Sequence, residues 1–123
     1  MTYRILVTDD NSDYRQTILE FLEFEGFALL EAADGQTALE LAKSRQPDLI
    51  LCDVDMPGMD GFAVLTALKT APTTANIPFV LVTGRADVAS VKRGKELGAT
   101  AYLVKPINPT ELLATIRQYL PDN

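Results

Sequence analysis

Short runs of apolar residues alternate along this chain with longer stretches in which apolar positions recur every three or four residues. The runs predict strands over about 4–8, 27–32, 48–52, 78–83 and 101–105, each rich in Val, Ile, Leu or Phe. They are mostly continuous rather than alternating, as in parallel strands covered on both faces. Between them, Tyr14, Ile18, Phe21 and Leu22 share one helical face, and Gly26 is suited to end that helix in a left-handed turn. Asp34 is placed to cap a second helix carrying Ala38, Leu41 and Ala42, and Asp60 a third carrying Phe62, Leu65 and Leu68. A fourth helix, over about 86–97, has a thin apolar face of Val88, Val91 and Leu97. Gly94 in its interior is expected to cost about 1 kcal/mol relative to alanine. The last helix has the clearest entry signal. Asn108-Pro109-Thr110-Glu111 supplies an N-cap, a first-turn proline and a capping-box glutamate, with Leu112 or Leu113, Ile116 and Leu120 facing inward.

Strands alternating with helices in this way build a three-layer α/β domain around a five-stranded parallel sheet. Right-handed crossovers bring the carboxyl end of every strand to one edge, where ligands of such sheets bind. Asp9 and Asp10 close the first run, Asp53 the third, Thr83 the fourth and Lys105 the fifth. Each has an ordinary explanation by itself. An aspartate after a strand caps a helix or turn, a threonine is satisfied locally, and a lysine before proline is solvated. Together they differ: adjacent Asp9 and Asp10 with a third carboxylate across the sheet repel one another unless a cation lies among them. Mg2+ suits that set, being a hard cation that takes carboxylate, carbonyl and water oxygens. Lys105 and Thr83 suit the non-bridging oxygens of a phosphoryl group, whose transfer depends on positioning and charge stabilisation. The nucleophile has to be a carboxylate, because the chain has no histidine and Cys52 lies inside an apolar run as a small buried hydrophobe. Asp53 is best placed, at mid-sheet with Gly58 and Gly61 giving a flexible loop beyond it.

Composition narrows this picture. At 123 residues the chain is expected to form one domain with a core of its own. The single cysteine excludes a disulfide framework, and the lack of histidine excludes His-based catalysis or a zinc site. No stretch approaches the ~18 apolar residues of a membrane span, and Met1-Thr2-Tyr3-Arg4 leads straight into a strand. No membrane contact, no signal peptide and a cytoplasmic location are therefore expected. Residues 1–60 carry thirteen acidic and four basic side chains, and residues 61–123 four acidic and seven basic, for a net charge of −6. An acidic chain without a basic stripe is a poor phosphate-backbone binder, so no direct nucleic-acid contact is expected.

At its rim residues the chain resembles the receiver domain of bacterial two-component response regulators. The likeness rests on Val7-Thr8-Asp9-Asp10-Asn11, on Leu51-Cys52-Asp53-Val54-Asp55-Met56-Pro57-Gly58-Met59-Asp60-Gly61, on Val82-Thr83-Gly84, and on Gly98-Ala99 followed by Tyr102-Leu103-Val104-Lys105-Pro106. Each segment is weak alone; the four in order are specific and cover Tyr3 to Leu120. The resemblance implies a flavodoxin-like (βα)5 fold with strand order 2-1-3-4-5. Only Pro121-Asp122-Asn123 follow Leu120, so residues 1–123 are expected to be a single receiver domain with no output domain, either a stand-alone regulator or a receiver excised from a longer protein. By the same resemblance, Asp53 accepts a phosphoryl group from a phosphohistidine on a sensor histidine kinase or a histidine phosphotransfer protein. The chain would then be no enzyme on a separate substrate, only self-catalysed in phosphoryl transfer and autodephosphorylation. Asp10 and Asp53 would ligate Mg2+ with the backbone carbonyl of Asp55, Asp9 would act through water, and Lys105 would pair with the phosphoryl group. Thr83 would move to hydrogen-bond it and Tyr102 would change rotamer in step, altering a face over residues 86–120 that meets a downstream protein. Small Gly84 would leave the phosphate approachable. Two positions depart from the family pattern: Thr100-Ala101 lacks an acidic pair used in a symmetric dimer, and Ile107 replaces an aromatic. Asp55 and Arg85 fall at the two positions flanking the phosphate mouth, and their opposite charges predict an ion pair that shields the acyl phosphate from water.

Three rivals compete with this reading. Asp53-Val54-Asp55 also resembles the nucleophile and acid/base pair of haloacid-dehalogenase-type phosphatases, although those enzymes place this motif early and the acidic pair late. A flavodoxin-like cofactor binder needs a Ser-, Thr- and Gly-rich first loop, where this chain has Asp9 and Asp10. An interaction module of the same fold without phosphorylation would be expected to have lost part of the acceptor set.

Overall fold

A computed structural model describes residues 2–121; Met1, where the expectation of no signal peptide begins, and Asp122 and Asn123 lie outside the described residues. The elements follow one another as β1 (Arg4–Thr8), α1 (Ser12–Phe24), β2 (Ala28–Ala32), α2 (Gly35–Arg45), β3 (Leu49–Cys52), α3 (Gly61–Thr70), β4 (Phe79–Thr83), α4 (Val88–Glu96), β5 (Ala101–Val104) and α5 (Pro109–Tyr119). All neighbouring strands pair in parallel, in the order β2-β1-β3-β4-β5. Every expected strand is present within a residue or so of its expected ends. Order reverses at β1, which lies between β2 and β3, and this opens the crevice between the carboxyl ends of β1 and β3.

Successive side chains of a strand face opposite sides of the sheet. Ile5, Val7, Leu49, Leu51, Val80 and Val82 therefore pack with Leu22 of α1 and with Leu112 and Ile116 of α5. Leu6, Ile50, Phe79 and Leu81 pack on the other side with Ala38 of α2 and with Phe62, Leu65 and Leu68 of α3. β3 and β4 are buried along their whole length and have no polar face, which is why their sequence runs are continuous. Burying each such leucine or isoleucine contributes about 1.5–3 kcal/mol. The helix ends follow their sequence signals: Asp34, Asp60 and Asn108 accept backbone N–H groups at the starts of α2, α3 and α5. Gly26 adopts φ +94° just past α1, and Leu112 rather than Leu113 takes the fully inward position on α5.

Helix α4 departs from its expected packing. Val88, assigned above to the apolar face, is 82% exposed, while Ser90 and Gly94 are the buried positions. The helix begins at an Asp87 cap, which accepts the Ser90 N–H at 2.9 Å, and lies against the sheet along its small residues. A Cβ on Gly94 would come within 2.8 Å of Leu81 Cδ1 and 3.1 Å of the Tyr102 ring. The glycine is thus not a weakness that alanine would repair. It permits the close approach of α4 to Leu81 and Tyr102, a contact set against the helical propensity it forfeits.

Candidate functional site

The parallel ladder carries rim residues one step past the strands. Asp9 N–H donates to Ala32 O at 3.2 Å, Asp53 N–H to Thr8 O at 3.0 Å and Lys105 N–H to Thr83 O at 2.8 Å. Three side chains from β1, β3 and β5 are thereby aimed into the same crevice by main-chain bonds. One carboxylate oxygen from each of Asp9, Asp10 and Asp53 lies within 4.8 Å of the other two. Helix capping does not account for them: Asn11 caps α1 and Asp60 caps α3. The donors are all carboxylate oxygens, the chemistry of a hard divalent cation rather than of zinc or copper.

Lys105 answers part of this negative charge. Its Nζ lies 2.7 Å from Asp9 Oδ2 and 3.4 Å from Asp53 Oδ2, with side-chain exposures of 21%, 5% and 8% for Lys105, Asp9 and Asp53. Asp9 is fully engaged, because its Oδ1 also accepts the Asn11 N–H at 2.9 Å. Asp10 is exposed beside it. Burial raises the Asp53 carboxyl above its ordinary range; Lys105 pulls it down, and the Asp9 charge adds to the rise. Burial alone would lower the Lys105 ammonium, but the Asp9 hydrogen bond and the Asp53 and Asp9 charges outweigh it and hold Lys105 above its ordinary value. The crevice thus sets a carboxylate whose charged form burial disfavours beside a lysine held in its charged form.

Thr83, Arg85 and Tyr102 form a second group at the mouth. Thr83 is buried, and its Oγ1 accepts the Arg85 N–H at 3.2 Å. The Tyr102 hydroxyl donates to the Arg85 carbonyl at 2.7 Å. The Arg85 guanidinium reaches across to Asp55 Oδ1, with Nε at 2.8 Å and Nη2 at 2.6 Å. The ion pair expected from the opposite charges of Asp55 and Arg85 is therefore formed. One residue links Thr83, Tyr102 and the loop beyond Asp53.

Three residues of the site escaped the sequence reading. Gly61 reads in the sequence as loop flexibility, yet a Cβ there would run into the Asp53 carbonyl oxygen, so its lack of a side chain lets α3 abut the Asp53 backbone. Its N–H also donates to Val54 O at 2.9 Å. Arg15 donates from Nη1 to the Asp9 carbonyl at 2.7 Å and from Nε to Glu31 at 3.0 Å. A cation in the first turn of a helix opposes the helix dipole, and that was a legible sign that an acceptor awaited it. Tyr14 lies with its ring centroid 4.2 Å from Lys105 Nζ. No sequence signal separates it from an ordinary core aromatic.

A family model described as the response regulator receiver domain matches residues 5–117. The response regulator PleD of Caulobacter vibrioides is 44% identical over 117 residues, covering 95% of this chain and 26% of PleD. The DNA-binding response regulator MtrA of Mycobacterium leprae is 37% identical over 123 residues, which are 53% of that protein. This chain thus spans about a quarter to a half of the length of these curated relatives. Among solved structures, the Vibrio cholerae chemotaxis protein CheY4 superposes with a TM-score of 0.92 at 34% identity, over 98% of this chain and 100% of that one. The haloacid-dehalogenase alternative finds no support in a match of this kind, and the acidic crevice lies where the family model runs through it. Topology, rim chemistry and sequence likeness agree, and the chain belongs to the receiver domain family of two-component response regulators.

Proposed function

We propose that Asp53 is the phosphoacceptor, and that residues 1–123 act as one receiver domain. The donor is a phosphohistidine on a sensor histidine kinase or histidine phosphotransfer protein. Its N–P bond breaks as a bond forms between phosphorus and an Asp53 carboxylate oxygen, and the departing imidazole takes up a proton. The observation that carries this reading is the convergence of Asp53 with Lys105 and two further carboxylates at one crevice. Asp10 and Asp53, with the backbone carbonyl of Asp55, are the residues to hold Mg2+; Asp9, whose oxygens already serve Asn11 and Lys105, acts through water. When bound, the ion supplies positive charge to the oxygens of the transferring group. Lys105 offers its ammonium to those oxygens from the opposite wall, and Thr83 its hydroxyl.

Signalling follows from the shared dependence on Arg85. Thr83 turning toward a phosphoryl group gives up its contact with the Arg85 N–H, and Tyr102, bonded to the same residue's carbonyl, moves with it. The face over residues 86–120 changes accordingly and presents itself to a downstream protein. The Asp55–Arg85 pair shields the acyl phosphate and lengthens its life. The expectation of no direct nucleic-acid contact rests on the net charge of −6. MtrA is by name a DNA-binding protein, over a length of which this chain spans about half. Among the described residues no helix is long and apolar enough to cross a membrane.

Treatment with a small acyl-phosphate donor and Mg2+, followed by peptide mass mapping, tests the assignment. Label is expected on Asp53, lost in Asp53→Asn and kept in Cys52→Ala. Unchanged labelling of Asp53→Asn would overturn it.

A further inference from the structure

Tyr14 contributes nothing to the reaction by its own chemistry, yet its ring touches the site at Lys105. Its backbone N–H is fixed by the α1 cap, donating to Asn11 Oδ1 at 3.0 Å. From there its ring lies under the Lys105 ammonium, 4.2 Å from centroid to Nζ. Tyr14 and Ile107, two residues beyond Lys105, pack against the same core cluster. The first turn of α1 thus sets an aromatic ring against the lysine side chain.

Lysine is a compact charge on a flexible four-carbon stem, and it has no planar fork to lock its direction. Two of its approaches are taken by Asp9 and Asp53. The electron-rich ring face occupies a further one, attracts the same charge and closes a route toward solvent. From this geometry we infer that Tyr14 is a positioning residue for phosphoryl transfer: its ring holds the Lys105 ammonium where the incoming phosphoryl oxygens require it. The inference rests on the role given to Asp53 and Lys105 above. It adds a residue whose contribution comes through the quadrupole of its ring and not through bulk or through its hydroxyl.

A set of full-length variants separates these contributions. The rate constant of Asp53 phosphorylation is measured at increasing concentrations of a small acyl-phosphate donor with saturating Mg2+. No partner protein is present, so docking on α1 plays no part. Tyr14→Leu keeps apolar bulk and loses the ring; its maximal rate is expected to fall about tenfold, the size of effect a partly desolvated cation–π contact supports. Tyr14→Phe keeps the ring and is expected to stay within about twofold of the unaltered chain. Phenylalanines bearing one, two and three fluorines at position 14 preserve shape and weaken the quadrupole stepwise, so the fold is not at issue. The logarithm of the rate is expected to fall steadily along that series. A flat fluorine series, a Tyr14→Phe rate as low as that of Tyr14→Leu, or a Tyr14→Leu rate equal to the unaltered one would each overturn the inference while Asp53 remains labelled. Failure of the unaltered chain to take label on Asp53 would overturn the inference together with the reading beneath it, and is a different result.

Discussion

Two ion pairs guard the same crevice in opposite ways. Lys105 with Asp9 and Asp53 lies inside, where the side chains are 21%, 5% and 8% exposed. Arg85 with Asp55 lies at the mouth, where the exposures are 48% and 52%. The contact distances are similar, 2.7 Å for the shortest inner contact and 2.6 Å for the outer. What differs is the medium. Unit charges at 4 Å attract by about 1 kcal/mol in water and about 4 kcal/mol at the effective dielectric of a protein surface. The inner group therefore cannot separate without stranding a charge, whereas an exposed pair is worth only about 0–1 kcal/mol and opens readily. A fixed interior and a yielding mouth suit a site that must hold reactants in register yet admit and release them.

The contrast can be broken from the inside first. Lys105→Met leaves Asp9 and Asp53 facing each other without their cation and should cost about 3 kcal/mol in urea unfolding, in the range for removing one partner of a buried pair. A loss under about 1 kcal/mol would mean that the inner group is as soft as the outer one. Next in size is Gly94→Ala, which acts on the support of the mouth. Overlap with Leu81 and with the Tyr102 ring should destabilise by about 1–3 kcal/mol. A stabilised variant, the outcome that helix propensity alone would give, would show that α4 can slide away from Tyr102 freely.

Asp53→Asn tests the interior with the opposite sign. Burial raises the Asp53 pKa, so in the window between the ordinary carboxyl value and the raised one the folded chain binds more protons than the unfolded chain. Stability then falls as pH rises through that window. The asparagine variant should be more heat-stable than the parent at neutral pH in metal-free buffer, and the gain should vanish below about pH 4. A gain that persists in acid would trace to packing instead of charge. The smallest effect is expected at the mouth. Arg85→Ala should change the unfolding free energy by less than about 1 kcal/mol, and 1 M salt, which shortens screening to about 3 Å, should erase the difference. Its visible consequence should be a severalfold shorter aspartyl-phosphate half-life at low salt, followed by loss of label with time; an unchanged half-life would remove Arg85 from the control of access.

Much of this architecture was legible before any coordinates. The five strands, the caps at Asp34, Asp60 and Asn108, and the arrival of Asp9, Asp10, Asp53, Thr83 and Lys105 at one edge follow from local period, turn chemistry and crossover handedness. Each is a property of neighbours in the chain or of a topology with few solutions. The pairing of Asp55 and Arg85 was expected from their opposite charges at two positions that the family resemblance places beside the mouth.

Tertiary structure alone decided the rest. Lys105 and Asp9 are 96 residues apart, and nothing along the chain says that the ammonium sits closer to Asp9 than to Asp53. Tyr14 carries the same helical period as Ile18 and Leu22 and packs against the same core, yet its ring also meets a lysine. Gly61 reads as loop flexibility and Gly94 as a cost to its helix, and each is a place where a side chain would press on a neighbouring element. Val88 had the period of a buried residue and faces out, because α4 is seated by its small residues. Periodicity reports which residues are apolar and how often they recur; it is silent on the rotation and distance at which one element meets another. Those two quantities are fixed by three-dimensional packing, and they turn a set of rim residues into a site.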